Sequence, residues 1–417
     1  MHHSPETITV NEAFFHPIEG LAAASPNARP CPELTDDSWI RLGIHRVLER
    51  VESGRGFLQE HGPRFDKMPR HANYFLSLQS ARRCAVAHDV NLELCRAVED
   101  QLPDRLAHIP ELKGYVCLAM DGHWHGAATH DARVDDRRVS VGHFFSLNLH
   151  NHSLSYLDCA EGLHEHDMHA LQRIKPKGLR QNIAKGRRVL IIYDRAGIDF
   201  AFWKRCRQEC AVYFVSRVKE GLVLEDLMEG PWDLNDVRNR GVQSDRLVLS
   251  RDGLKLRVVE YVAPENGKQY AFLTNETDLQ PGIIAELYRR RWEVEKVFDE
   301  IKTKLGEKQA WASGEVARRS QGRFVAMTHN LLVLYEHRLS TQRQVQPEAE
   351  KNRSKKRIGK LVAIARHAGR EVSALLLATR NATQRSVKFL RWLRQSLRDH
   401  VTEAAAAQRL ASLHAHL

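Results

Sequence analysis

Tyr288-Arg289-Arg290-Arg291-Trp292-Glu293-Val294-Glu295-Lys296-Val297-Phe298-Asp299-Glu300-Ile301-Lys302 is the stretch on which the reading of this chain turns. Taken as a helix at about 100° per residue, Tyr288, Arg291, Glu295 and Lys302 fall at roughly 0°, −60°, −20° and −40°, one narrow stripe. Leu287, Val294, Phe298, Ile301 and Leu305 cluster on a neighbouring face that can bury itself against a core. A carboxylate, a phenol and two cations on one wet edge of a half-buried helix can hold a metal ion and a phosphate together. The competing reading is a solvated face carrying i,i+4 ion pairs. The choice depends on whether the rest of the chain supplies the partners such a helix needs.

It needs two more carboxylates, because Glu295 alone cannot hold two hard divalent cations that take oxygen ligands. Two upstream aspartates stand in the right order. The apolar run Tyr115–Met120 predicts a strand ending at Asp121-Gly122, and Val189–Tyr193 predicts another ending at Asp194-Arg195-Ala196-Gly197. Continuous apolar runs read as strands buried on both faces, and ligand chemistry in such sheets gathers at strand ends. Either aspartate alone would read as a turn residue or helix cap. Asp131, Asp135 and Asp136 lie in a polar stretch that reads as loop.

The spacing of Tyr288, Arg291, Glu295 and Lys302, with Trp292 directly after the arginine, resembles the Tyr-Arg-Glu-Lys signature of bacterial insertion-sequence transposases of the DDE class. The group it resembles is the cut-and-paste, hairpin-forming one of the IS-four family. Asp194-Arg195-Ala196-Gly197 resembles the family's second-aspartate motif, often Asp-Arg-Gly. The first site departs from the pattern: relatives often carry a small hydroxyl residue two positions after the aspartate, where this chain has His123.

The resemblance implies an RNase H-like α/β core in which Asp121, Asp194 and Glu295 are catalytic and hold two Mg²⁺ ions, with Mn²⁺ as a substitute. It gives Tyr288, Arg291, Lys302 and Arg195 to DNA phosphates, and Trp232 and Trp292 to stacking on a base displaced during hairpin formation. The implied partners are double-stranded DNA with terminal inverted repeats and target DNA, with a homodimer on paired ends. Two other classes stay open: a catalytically silent, transposase-derived DNA-binding protein, and a metal-dependent nuclease without strand transfer.

Length and composition fit this organisation. A chain of 417 residues suggests about three domains, and 42% hydrophobic residues supply ample core. No apolar run approaches a membrane span and the N-terminus lacks a signal pattern, so a cytoplasmic, nucleoid-associated protein is expected. The seven cysteines are dispersed, with no Cys-x-x-Cys, which predicts reduced thiols. His123/His125, His150/His152 and His164/His166/His169 form no closed zinc pattern with cysteine.

Residues 341–417 hold 16 Lys and Arg against 5 Asp and Glu, a surplus equal to that of the whole chain at 63 against 52. A surplus segregated in this way favours phosphate contacts. It begins at Lys351–Arg357, which reads as a linker or exposed loop.

The expected layout is a helical N-terminal DNA-end-binding domain over 1–110, placed there by the resemblance, with helical periodicity across Ala72–Val86. The first part of the core follows over 111–217. A β-rich insertion spans 218–278, split by Asp252-Gly253 and Asn266-Gly267. The second part of the core, with the signature helix, spans 279–340, and a basic helical C-terminal domain spans 341–417.

Overall fold

The computed structural model describes residues 7–49, 53–61, 70–131, 133–134, 137–138, 140–160, 165, 167–181, 183–194, 199–230, 232–345, 348–378 and 384–415. It is a mixed α/β structure. Among the described residues six α-helices come first: α1 (Val10–Phe15), α2 (Leu21–Ala24), α3 (Asp36–Glu49), α4 (Gly54–His61), α5 (His71–Leu78) and α6 (Ala81–Gln101). The expected helix across Ala72–Val86 breaks between α5 and α6, where the Ser80 hydroxyl accepts from the Arg83 amide as an N-cap.

The sheet begins with β1 (Tyr115–His125), followed by the short pair β2 (Arg133–Val134) and β3 (Arg137–Arg138), then β4 (Val141–Asn148) and β5 (Leu154–Cys159). After α7 (Asp167–Gly178) come β6 (Arg188–Ile192), α8 (Phe200–Cys210) and β7 (Val212–Arg217). The β-rich stretch supplies β8 (Leu224–Glu229), β9 (Val242–Ser250), β10 (Lys255–Val262) and β11 (Gln269–Thr274). Among the described residues nine strands form one sheet in the order β5-β4-β1-β6-β7-β11-β10-β9-β8. The pairings β1–β6 and β6–β7 are parallel, and the rest are antiparallel.

The turn signals fall where expected, with Gly253 and Gly267 at φ 72° and 68° closing the β9–β10 and β10–β11 hairpins. The stretch 218–278 does not stand apart from the core sheet. It extends that sheet, because β11 pairs with β7 from Phe272↔Arg217 to Thr274↔Val215.

Alternation along the central strands assigns each side chain to a face. Cys117, Ala119, Leu190, Ile192 and Val215 join the larger core, while Met120, Val189, Ile191, Tyr193 and Phe214 join a second core built with Phe202 and Trp203 of α8. Over the larger core lie α9 (Pro281–Arg290), α10 (Trp292–Asp299) and α11 (Glu315–Gln342), with Leu287, Val294, Phe298 and Phe324 buried. The expected single signature helix is thus two helices tightened at Arg291, whose amide bonds back to the Tyr288 carbonyl at 3.1 Å. It runs on into a π-helical turn, Glu300–Leu305, which Gly306 ends at φ 79°.

The last segment contains α12 (Glu348–His367), α13 (Ala374–Ala378), α14 (Val387–Arg398) and α15 (Glu403–Ala415). Lys351–Arg357 is therefore part of a helix and not a linker. The two ends of the chain meet: the Val10 amide bonds to the Val401 carbonyl at 3.0 Å, and Phe389, Leu390, Trp392 and Leu393 share the larger core with Phe14 and Phe15. Glu403, fully buried, is held by Arg338 at 2.9 Å and Arg343 at 3.1 Å.

Candidate active site

The parallel register of β1 and β6 brings the two aspartates together. Ala119 pairs with Ile192, so two residues further on Asp121 and Asp194 stand level on neighbouring strands. They point to the face shared by Ala119 and Ile192, under α9 and α10. Asp121 does not end its strand, as expected from the apolar run. β1 continues to His125, and Asp121 is still paired with Phe145 of β4. The ladder to β6 is what stops, at Ile192, two residues short of Asp194.

The signature helix delivers the rest. Arg291 bridges two carboxylates: its Nη1 donates to Asp121 Oδ2 at 2.9 Å and its Nη2 to Glu295 Oε1 at 2.6 Å. The Tyr288 hydroxyl donates to Asp194 Oδ1 at 3.2 Å. The Gly122 amide donates to the other Asp121 oxygen at 2.8 Å. Asp121, Arg291 and Glu295, separated by up to 174 positions, thus form one hydrogen-bonded seam, with the Tyr288–Asp194 pair beside it. The edge is not uniformly wet, as the helical stripe suggested: the Arg291 side chain is 5% exposed, against 20% for Asp121 and 31% for Glu295.

Burial pushes Asp121 and Glu295 above the usual carboxylate range, partly offset by the positive charge of Arg291. Arg291 resists its own burial, because Asp121, Tyr288, Glu295 and Asp194 surround it and raise its pKa. Burial pushes the Tyr288 hydroxyl up to about 12, so it acts as a donor. The donor set, three carboxylates on two strands and one helix, suits a hard divalent cation. Among the described residues no three such groups converge closely enough to form a ligand cluster. Arg291 stands between Asp121 and Glu295 and holds them to itself.

The remaining candidates divide. Trp292 is 57% exposed and flanks the Arg291 guanidinium at 5.5 Å. Trp232 is half-buried and packs against the larger core. Lys302 is exposed on the π-helical turn and makes no bond to the three carboxylates among the described residues. Arg195 lies outside the described residues, as do His164 and His166.

Two features were not read from the sequence as part of this site. His123, where the family pattern has a hydroxyl residue, packs its ring on Phe298 at 5.1 Å, and His125 stacks on His143 at 4.7 Å. Desolvation lowers His123 to about 3 and His125 to about 4, so both are neutral core rings and not cationic DNA contacts. Their parity with Asp121 on β1 is the signal that could have placed them.

The second feature is Glu293. It is 1% exposed on the back of the signature helix and bonds to His152 Nε2 at 2.7 Å. His152 sits at φ 68° in the β4–β5 turn, and its carbonyl bonds to His329 at 3.0 Å. At about 200° from Glu295 around the helix, Glu293 pins the face opposite the candidate site.

Residues 148–331 match the family model described as a transposase DDE domain. This segment is therefore similar to transposase DDE domains. It includes Asp194 and Glu295 but begins downstream of Asp121. A stretch of 126 residues is also 26% identical to a protein of Synechocystis sp. (strain PCC 6803) named as a candidate transposase for insertion sequence element IS4SA. It covers 30% of this chain and 35% of that relative, so the chain spans about a third of the curated protein it matches. Both matches agree with the resemblance to bacterial insertion-sequence DDE transposases read from the signature helix. No helix among the described residues is long and apolar enough to cross a membrane.

Proposed function

We propose that the protein is a DNA transposase that cuts and joins the ends of an insertion sequence, with Asp121, Asp194 and Glu295 as its catalytic carboxylates. The observation that carries this reading is the seam itself: one register and one arginine bring together three acidic residues from three elements. The strand order β5-β4-β1-β6-β7, with only β4 antiparallel to its neighbours, supports an RNase H-like core. In this reading β8–β11 form the insertion, residues 1–110 the end-binding region, and 341–417 the basic C-terminal region.

Asp121, Asp194 and Glu295 would hold two Mg²⁺ ions, or Mn²⁺ in their place, which supply activation of the attacking oxygen and stabilisation of the leaving oxygen in phosphodiester displacement. Arg291 offers a planar fork that suits a phosphate better than a lysine would. Tyr288 orients Asp194 through its hydroxyl. Lys302 and Arg195 would contact phosphates further along the strand. A hairpin at the cut end requires one base to leave the stack and lie on an aromatic face. Trp292, exposed beside Arg291, suits that role better than the half-buried Trp232.

On α12, Lys355, Lys356, Arg357 and Lys360 are exposed and would bind DNA outside the cleavage point. A homodimer would hold paired terminal inverted repeats for transfer into target DNA, in association with the nucleoid.

The test is cleavage of a duplex carrying the inverted repeats that bracket the reading frame, in Mg²⁺. Metal-ligand charge stabilisation is worth several kcal/mol. Asp194→Ala or Glu295→Ala should therefore slow cleavage on the order of a hundredfold or more, with end binding retained. Cutting at the wild-type rate by either variant would exclude these residues from the reaction.

A further inference from the structure

Arg291 is bonded to the very carboxylates that the reading above assigns to the cations. Its two terminal nitrogens are taken by Asp121 and Glu295, on different elements, so the guanidinium lies between them as a single positive charge. Its third donor position, Nε, is buried and has no hydrogen-bond partner among the described residues. The guanidinium is flanked by the Tyr288 ring at 5.8 Å and by the exposed Trp292 ring at 5.5 Å. The Arg291 side chain is itself 5% exposed, and the exposed ring beside it is that of Trp292.

We infer that Arg291 is a tethered counter-ion that keeps divalent cations off Asp121 and Glu295 until a DNA phosphate draws it away. The inference rests on the proposed role of those carboxylates and goes beyond it, because it makes DNA binding the condition for cation loading.

Two partly buried carboxylates brought together repel one another unless a positive charge lies between them. Arg291 provides that charge from its own helix, four residues before Glu295, and holds the acids in position. A cation can take both acids only if the guanidinium gives up its bonds. A phosphodiester oxygen pair matches the arginine fork as a carboxylate does. Phosphate binding therefore exchanges two charge-assisted hydrogen bonds for others of the same kind and frees both acids. Linkage requires the converse: a cation on the acids must tighten the hold of Arg291 on phosphate by the same factor. The arrangement suppresses cation loading, and with it stray hydrolysis, in protein that holds no DNA.

Mn²⁺ binding to the full chain decides the matter, followed by the free-ion electron paramagnetic resonance signal without DNA. Arg291→Met should bind Mn²⁺ more tightly than wild type by on the order of tenfold or more, the scale of one lost charge-assisted hydrogen bond. Lys302→Met removes a nearby cation that makes no such bond and should change affinity by less than about twofold, which separates specific pairing from general charge. The wild-type chain provides a readout that needs no substitution at Arg291. Adding end duplex should tighten its Mn²⁺ binding, with Glu295→Ala plus the same duplex as the blank.

Wild-type or weaker affinity in Arg291→Met, while Glu295→Ala lowers affinity, would overturn the inference and leave the carboxylate site standing. Mn²⁺ binding indifferent to Glu295→Ala would overturn both.

Discussion

Two arginine–carboxylate assemblies in this protein use the same chemistry and differ in how completely they close. In the β9–β10 hairpin, Arg257 forks onto Asp245, with Nε to Oδ1 at 2.7 Å and Nη2 to Oδ2 at 2.6 Å, and its Nη1 reaches the Leu279 carbonyl at 2.5 Å. Both side chains are buried, at 5% and 1% exposure, and one carboxylate takes both prongs. In the seam, Arg291 divides its prongs between Asp121 and Glu295, leaves Nε unpartnered, and keeps company with acids that water reaches. The first is a saturated brace that ties the sheet extension to the start of α9. The second is unsaturated, and its acids are partly exposed. A buried ion pair is poor evidence of function by itself; divided bonding and partial exposure distinguish the pair that can exchange partners.

The largest expected effect tests the brace. Arg257→Met leaves the Asp245 charge buried and unpaired, which should cost about 3–5 kcal/mol of stability by the measure of other broken buried pairs. Urea denaturation followed by circular dichroism reads it. Arg291→Met should cost about 1 kcal/mol or less in the same assay, because its acids retain water. Equal losses would erase the distinction between the two assemblies.

Next in size is acid sensitivity around the seam. His123, His125 and His152 are held at about 3, 4 and 4 by desolvation, while the unfolded chain has them near 6.5. Because the native pKa values are depressed, the unfolded state takes up protons first as pH falls through 6.5. Stability therefore drops from there until the native values are reached. Each such histidine should contribute about 2 kcal/mol of loss between pH 6.5 and 5. His123→Leu should flatten that slope in thermal melts across the range, and an unchanged slope would remove His123 from the neutral set.

The smallest effect concerns Lys302. As an exposed cation with no bond to the carboxylates among the described residues, its change to Ala should weaken end binding several-fold at most and lower the salt slope of binding by about one. A loss as deep as that of Arg291→Ala would place Lys302 within the seam after all.

The strands were legible because their apolar runs, β-branched residues and turn dipeptides act over a few neighbouring positions. The apolar run Val189–Tyr193 forms the strand Arg188–Ile192, and Asp252-Gly253 and Asn266-Gly267 turn the chain where they should. The boundaries that went astray depend on distant neighbours. Nothing local shows that β1 continues beyond Asp121, because β4 pairs with those residues from the other side. The Lys351–Arg357 run reads as linker from its charge, yet lysine and arginine are good helix formers once flanking residues nucleate a turn.

The candidate site was legible in its identities and not in its bonds. Asp121, Asp194, Glu295 and the tyrosine and arginine of the signature helix were named from spacing, but spacing cannot show that Arg291 spans two of the acids. His123 looked like a departure at a catalytic motif. In the fold it is a neutral ring packed on Phe298. Glu293, invisible beside Glu295 in the sequence, became a partner of His152 once a β-turn was folded behind the helix.

The sequence by itself determined most of the strands, the candidate acidic residues and the resemblance to DDE transposases, because periodicity, turn chemistry and a fifteen-residue motif are properties of the chain read in order. Only the tertiary structure decided the register that levels Asp121 with Asp194, the burial of Arg291 and its division between two carboxylates. Those are relations between segments up to 174 positions apart, set by which backbone groups pair and which side chains lose water.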